Sequence, residues 1–178
     1  MLRRILTAVC LAPLAAGLWQ CNQAKPKPAG PSPYAATVVL KFTPMAQAAL
    51  VKNKDTLVVN AYYYGDPTPQ AAARADRLGR LELADEYDGW ANNARRVPVA
   101  GHIDTALLPQ IRGEPQLLVD VYSVTTIGAQ DDLLHCKTWI GTVKMAQARS
   151  PVIGCELENG DKDSADDLVP ADDASSSE

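Results

Sequence analysis

Thr56 to Tyr64 reads TLVVNAYYY, and its residue types alternate with a period of two. Leu57, Val59, Ala61 and Tyr63 share one face; Val58, Asn60, Tyr62 and Tyr64 share the other. β-Branched and aromatic residues at this period predict a half-buried strand, because successive side chains leave a strand on opposite sides. Pro115 to Ile127 (PQLLVDVYSVTTI) repeats the pattern, with Leu117, Val119 and Val121 inward and Tyr122 out of phase. Two long strands, each with one apolar face, have to bury those faces against a second layer. A layered β structure is therefore the constraint from which the rest of the chain is read.

Shorter segments fill in the layers. Thr37 to Phe42 places Val38, Leu40 and Phe42 on one face, and Thr43-Pro44 then supplies an N-cap and a first-turn proline for a short helix from Met45 to Lys52. Gly65-Asp66-Pro67 ends the first long strand, and Gln70 to Arg77 is a loop or a single helical turn. Gly79 to Tyr87 alternates Leu81 and Leu83 with polar residues, after which Asp88-Gly89 and Asn92-Asn93 carry turn chemistry. Arg96 to Ile103 is a further strand, and Asp104 caps a short helix from Thr105 to Ile111. Leu133 to Val143 and Val152 to Leu157 complete the set. The expectation is a mainly β fold: a single small antiparallel β-sandwich of about seven strands with one or two short helices. A small β-barrel or an α+β sheet is the alternative.

The N-terminus carries an address. Met1-Leu2-Arg3-Arg4 precedes an apolar run from Ile5 to Leu18, which is short for a bilayer span of about 20 residues. The run ends in Leu18-Trp19-Gln20-Cys21. Basic start, apolar stretch and following cysteine resemble the export signal and lipidation motif of bacterial envelope lipoproteins. Leu18 and Cys21 match that motif, whereas Trp19 and Gln20 depart from its small residues. The resemblance implies a signal peptide over residues 1–20, fatty acylation (palmitate) at Cys21 and a domain held in the periplasm. Asn22 after the cysteine implies the outer membrane rather than the inner one. Simple secretion, with cleavage after Ala16 or Gly17, is the other outcome open to such a leader. Residues 21–33 hold Pro26, Pro28, Pro31 and Pro33, the composition of an extended tether. The folded domain is then 34–157. Its order of elements is similar to that of small sandwich lipoproteins of the pilotin-like and accessory kind, a likeness that transfers no site residues.

With that leader, the four cysteines divide cleanly. Cys10 leaves with the signal and Cys21 is acylated, so Cys136 and Cys155 remain in a compartment where disulfides persist. They are expected to bridge. The competing use of Cys136, as a nucleophile beside His135, lacks a third group to orient the base. A zinc site built from His102 and His135 would need the same two cysteines. Charge is uneven: nine acids and one base lie between Glu156 and Glu178, while the body is close to balanced. Residues 158–178 read as an acidic disordered tail. Without a basic patch, nucleic acid is not the expected partner.

Candidate functional residues are few. Tyr62 and Tyr64 share the polar face of their strand, and Tyr122 shares that of the second strand. If the strands are neighbours, the three form a binding patch of the aromatic type favoured at interfaces. Asp66, Asp85, Glu86 and Asp88 are the only carboxylates that suggest a hydrolytic pair, and turn chemistry explains them as well. No Gly-x-Ser-x-Gly elbow, phosphate loop or His-Glu-x-x-His helix is present. The expectation is a protein with no enzymatic activity and no cofactor or metal. It would be anchored to the membrane through its lipid and would bind or assemble another envelope protein. A periplasmic immunity or inhibitor lipoprotein and an envelope hydrolase are the alternatives.

Overall fold

The computed structural model describes residues 32–125 and 133–158. The expected signal peptide, Cys21, most of the expected tether and all but Glu158 of the expected acidic tail lie outside the described residues. Among the described residues, eight strands form two four-stranded sheets packed face to face around one core. In chain order they are β1 (Ala36–Phe42), β2 (Thr56–Pro67), β3 (Leu81–Trp90), β4 (Arg96–Val99), β5 (Ile111–Val124), β6 (Leu134–Cys136), β7 (Trp139–Thr142) and β8 (Val152–Leu157). The first sheet runs β4-β1-β8-β6 and the second β3-β2-β5-β7. Helix α1 (Pro44–Asn53) follows β1, and helix α2 (Val143–Ala148) joins β7 to β8. Short 3₁₀ turns occupy Ala72–Arg74 and Thr105–Gln110.

The core is drawn from the alternation in the sequence. Val38, Leu40 and Phe42 of β1 meet Leu57, Val59, Ala61 and Tyr63 of β2 and Leu117, Val119 and Val121 of β5, all buried. Each fully buried aliphatic side chain contributes about 1.5–3 kcal/mol relative to exposure. Thr43 caps α1 by accepting from the Ala46 N–H at 3.2 Å, with Pro44 at the first turn. The helix ends at Lys54, whose φ of 58° is the left-handed cap conformation.

The sandwich is mixed rather than wholly antiparallel. β1 and β8, the first and last strands, pair in parallel from Val39↔Val152 to Phe42↔Cys155. Reading neighbours along a chain suggests hairpins, which are antiparallel; a parallel pair needs a long crossover, and here most of the domain intervenes. The expected single strand from Leu133 to Val143 is two strands in different sheets. β6 lies beside β8, and the chain crosses at Lys137–Thr138 so that β7 joins β5. Helix α2 was not anticipated. Thr142 caps it by accepting from the Met145 N–H at 3.1 Å, the same device that starts α1.

Two further differences have local causes. Asp88-Gly89 is not a turn, because β2 is long enough to pair with β3 as far as Leu57↔Trp90. The turn falls on Asn92-Asn93, closed by the Ala94 N–H donating to the Ala91 carbonyl at 2.9 Å. Pro115 lies inside β5 and not at its start. There the pairing with β2 jumps from Tyr64↔Gln116 to Asp66↔Arg112. That bulge, eased by Gly113 at φ 76°, is where a residue without an N–H is tolerated in a strand.

The start of the domain is strapped down. The Ser32 hydroxyl donates to the Gly101 carbonyl at 2.6 Å. Gln147 of α2 donates to the carbonyls of Pro33 (2.7 Å) and Ala35 (3.0 Å). Gly101 has φ +69°, and a Cβ there would clash with the Tyr34 carbonyl group, so only glycine admits this approach. The loop holding Gly101 is anchored by one carboxylate. Glu86 accepts from the N–H groups of Ala100 and Gly101, both at 3.1 Å, and of His102 at 2.7 Å.

The expected disulfide is present. Cys136 and Cys155 are directly opposite one another on β6 and β8, with S–S 2.06 Å and Cα atoms 4.1 Å apart. Their thiols are therefore unavailable to a zinc ion or to His135. His135 lies instead with its Nδ1 3.5 Å from a Glu158 carboxylate oxygen.

Candidate functional site

The register of the second sheet fixes what its outer face presents. The row through Tyr64 reads Glu82, Tyr64, Gln116, Thr142 across β3, β2, β5 and β7. The row through Tyr62 reads Asp85, Tyr62, Leu118, Ile140. The next sets Tyr87, Asn60 and Asp120 side by side, and the last sets Gly89, Val58 and Tyr122. Strands in a sheet are about 4.8 Å apart and alternate residues of one strand about 6.7 Å apart, so these rows make a continuous surface. Tyr87 and Ile140 are 61% and 59% exposed. Tyr62, Tyr64 and Tyr122 are half-buried.

The long strands are neighbours, as the tyrosine patch requires, but the three tyrosines do not form one cluster. Tyr62 and Tyr64 stack, with ring centroids 5.5 Å apart and planes at 21°. Tyr122 stands opposite Val58, four residues or about 13 Å along β2 from Tyr62. Tyr87 of β3 lies one row from it on the far side of β2. The structure thus divides the face into a Tyr62–Tyr64 pair and a Tyr87–Tyr122 region, with Asn60 between them.

The first pair carries a cation. The Arg80 guanidinium lies 4.9 Å from the Tyr62 ring centroid and 5.2 Å from that of Tyr64. Its Nε is 3.0 Å from Asp76 Oδ2. Asp76 in turn accepts from the backbone N–H groups of Leu78 (2.8 Å) and Arg80 (2.9 Å). These bonds, led by the Arg80 N–H, hold the Asp76 carboxyl below its ordinary pKa. Burial, followed by the charge of Asp76, raises the Tyr62 phenol, and the Arg80 charge opposes the shift.

The second region is organised around carboxylates. Asp85 accepts from the Asn60 amide at 2.6 Å and from the Tyr87 hydroxyl at 3.0 Å. Donation to that carboxylate, ahead of burial, raises the Tyr87 phenol, which stays protonated. Asp120 accepts from the Thr138 hydroxyl at 2.5 Å.

The four carboxylates weighed from the sequence do not converge. Asp85 and Glu86 leave β3 on opposite sides, Glu86 being committed to the 100–102 loop. Asp66 pairs in register with Arg112, while Asp88 pairs with Val59, about 23 Å along β2. Tyr87 and Arg80 were missed. Leu81 and Leu83 set the parity of β3 inward on odd numbers, which would send Tyr87 inward too. A bulge at Leu83, where Tyr64↔Glu82 is followed by Tyr63↔Ala84, reverses that parity. No sequence signal marks that bulge, and Arg80 acts from outside the strand it precedes.

Two shallow cavities of about 320 and 270 Å³ flank the strap at Gln147, one lined by Thr37, Pro98 and Ser150 and the other by Glu114, Pro115 and Lys144. No family model matches the chain, and no curated protein or solved structure matches it.

Proposed function

We propose that this chain is a non-enzymatic, lipid-anchored protein of the bacterial cell envelope that binds or assembles another envelope component through the outer face of its second sheet. The observation that carries the binding role is the tyrosine-bearing face itself. Four tyrosines, Leu118 and Ile140 share one sheet surface with Asn60, Asp85 and Asp120, and two of the largest side chains are mostly exposed. Aromatic and aliphatic area edged by polar groups is the composition of interaction surfaces. The anchor rests on the basic start, the apolar run, Leu18 and Cys21. The proline-rich segment after Cys21 supports the placement of the domain away from a membrane surface, since such segments are extended and semi-rigid.

Two measurements test this. Metabolic labelling with a fatty-acid probe is expected to mark the wild-type chain and not Cys21→Ser; equal labelling, or a mature N-terminus near Gly17, removes the anchor. A photo-crosslinking residue at Ile140 is expected to capture a discrete envelope protein in intact cells, while one at exposed Val51 of α1 does not. No product from Ile140, or the same product from both positions, removes the binding face.

A further inference from the structure

We infer that the partner presents a basic segment, and that an arginine or lysine of that segment is held by the Asp85 and Asp120 carboxylates on either side of Asn60, beside Tyr87 and Tyr122. This deepens the binding role proposed above and rests on it.

Charge complementarity is the first ground. The outer face carries the carboxylates Glu82, Asp85 and Asp120 in the rows named above, while its arginines, Arg80 over the tyrosine pair and Arg112 in the row beyond Tyr64, are matched by Asp76 and by Asp66 in register, so the acids are in excess. A surface of this sign attracts cations and repels acidic partners.

The second ground is how the same face already treats a cation. At the Tyr62–Tyr64 end, Arg80 lies over both rings and is tied to Asp76. Aromatic rings supply the negative face and a carboxylate supplies the ion pair, the combination that suits a guanidinium. The Tyr87–Tyr122 end offers the same chemistry in another arrangement. Asp85 is fixed by Asn60 and Tyr87, and Asp120 by Thr138, so both carboxylates are positioned before a partner arrives. Each spends one or two acceptor sites on these bonds and keeps others, since a carboxylate offers about four. Those bonds use neutral donors. Among the described residues, no ion pair engages either carboxylate.

The probe is a synthetic peptide with arginine at alternate positions, compared with the same peptide carrying citrulline, which keeps the shape and loses the charge. Both are titrated into the isotopically labelled full chain and followed by NMR. The arginine peptide is expected to shift the Asn60 side-chain amide and the Tyr87 and Tyr122 rings. The citrulline peptide is expected to bind at least about tenfold more weakly. Asp85→Asn with Asp120→Asn, and separately Tyr87→Ala with Tyr122→Ala, should each weaken arginine-peptide binding about tenfold. The tyrosine pair leaves net charge unchanged, so its effect separates a built site from bulk attraction. Ile140→Arg, at a position that is 59% exposed, supplies a variant that leaves both carboxylate clusters in place and should also weaken binding. Shifts confined to the acidic residues after Glu158, or equal affinity in all three variants, overturn the inference. If the Ile140 crosslink forms and is insensitive to Asp85→Asn with Asp120→Asn, the face binds a partner but not through a cation. If no crosslink forms, the binding role itself fails.

Discussion

Reducing the Cys136–Cys155 bridge should cost about 3 kcal/mol, and the loss should begin in β6. Nineteen positions separate the two cysteines. Cross-linking a loop of that length removes about 11 cal/mol/K of chain entropy from the unfolded state, which is about 3 kcal/mol at 25 °C. The structure shows where that constraint is felt. β6 is an edge strand of three residues, paired through Leu134↔Leu157, His135↔Glu156 and Cys136↔Cys155, with the Lys137 N–H donating to the Gly154 carbonyl and the Glu158 N–H to the Leu133 carbonyl at its two ends. β8 is held independently on its other side by four residue pairs with β1. Without the bridge, β6 is held by this one short ladder and by the burial of Leu134. Comparing oxidised and reduced wild-type protein avoids placing a new side chain at Cys155, which is 1% exposed. For a domain of this size the urea midpoint should fall by about 1.5 M and the melting temperature by about 10 °C. Hydrogen exchange should show the His135 and Lys137 amides, which face β8 in the ladder, losing protection before those of β1 and β2. If the two forms melt within about 0.3 M of each other and β6 stays protected, the bridge is not a structural tie and the entropy argument is refuted.

Other outcomes follow from single buried groups. Glu86→Ala strands three backbone N–H groups and should destabilise by about 2–4 kcal/mol, with the first proteolytic nicks appearing near Gly101 and the Ser32–Ala35 strap; a surface-like loss below about 0.5 kcal/mol would remove its anchoring role. Tyr63→Phe should be neutral or stabilising by about 1 kcal/mol, because the Tyr63 hydroxyl is buried without a hydrogen-bond partner; a clear loss in denaturant melts would reveal an unseen partner. Asp55 is 2% exposed with neither carboxylate oxygen hydrogen-bonded, and burial raises its pKa. A raised folded-state pKa means the folded form binds more protons, so this stability contribution is complete below the unfolded aspartate pKa and is lost as pH climbs toward the folded value. Asp55→Asn should therefore match wild type in acid and exceed it by about 1 kcal/mol near neutral pH; a gap that shrinks with rising pH contradicts this.

The strands, their inward faces and the pairing of Cys136 with Cys155 were legible in the sequence. Each depends on period-two alternation or on elimination among few cysteines. Val38, Leu40 and Phe42, Leu57 to Tyr63, and Leu117 to Val121 are buried as their alternation requires, because a strand has only two faces and water selects between them. Thr43-Pro44 marked its helix because capping is a matter of a few adjacent atoms. What tertiary structure decided lies across the chain. The parallel β1–β8 pair joins residues more than a hundred positions apart. The break at Lys137–Thr138 sends neighbouring residues into different sheets. Extra residues in β3 and β5 shift their register against β2. The first of these shifts reverses the parity of β3, turns Tyr87 outward and brings it beside Asn60 and Asp85. Alternation assigns a residue to a face only until the next bulge. Which strand lies alongside, and in what register, is fixed by how the whole core packs.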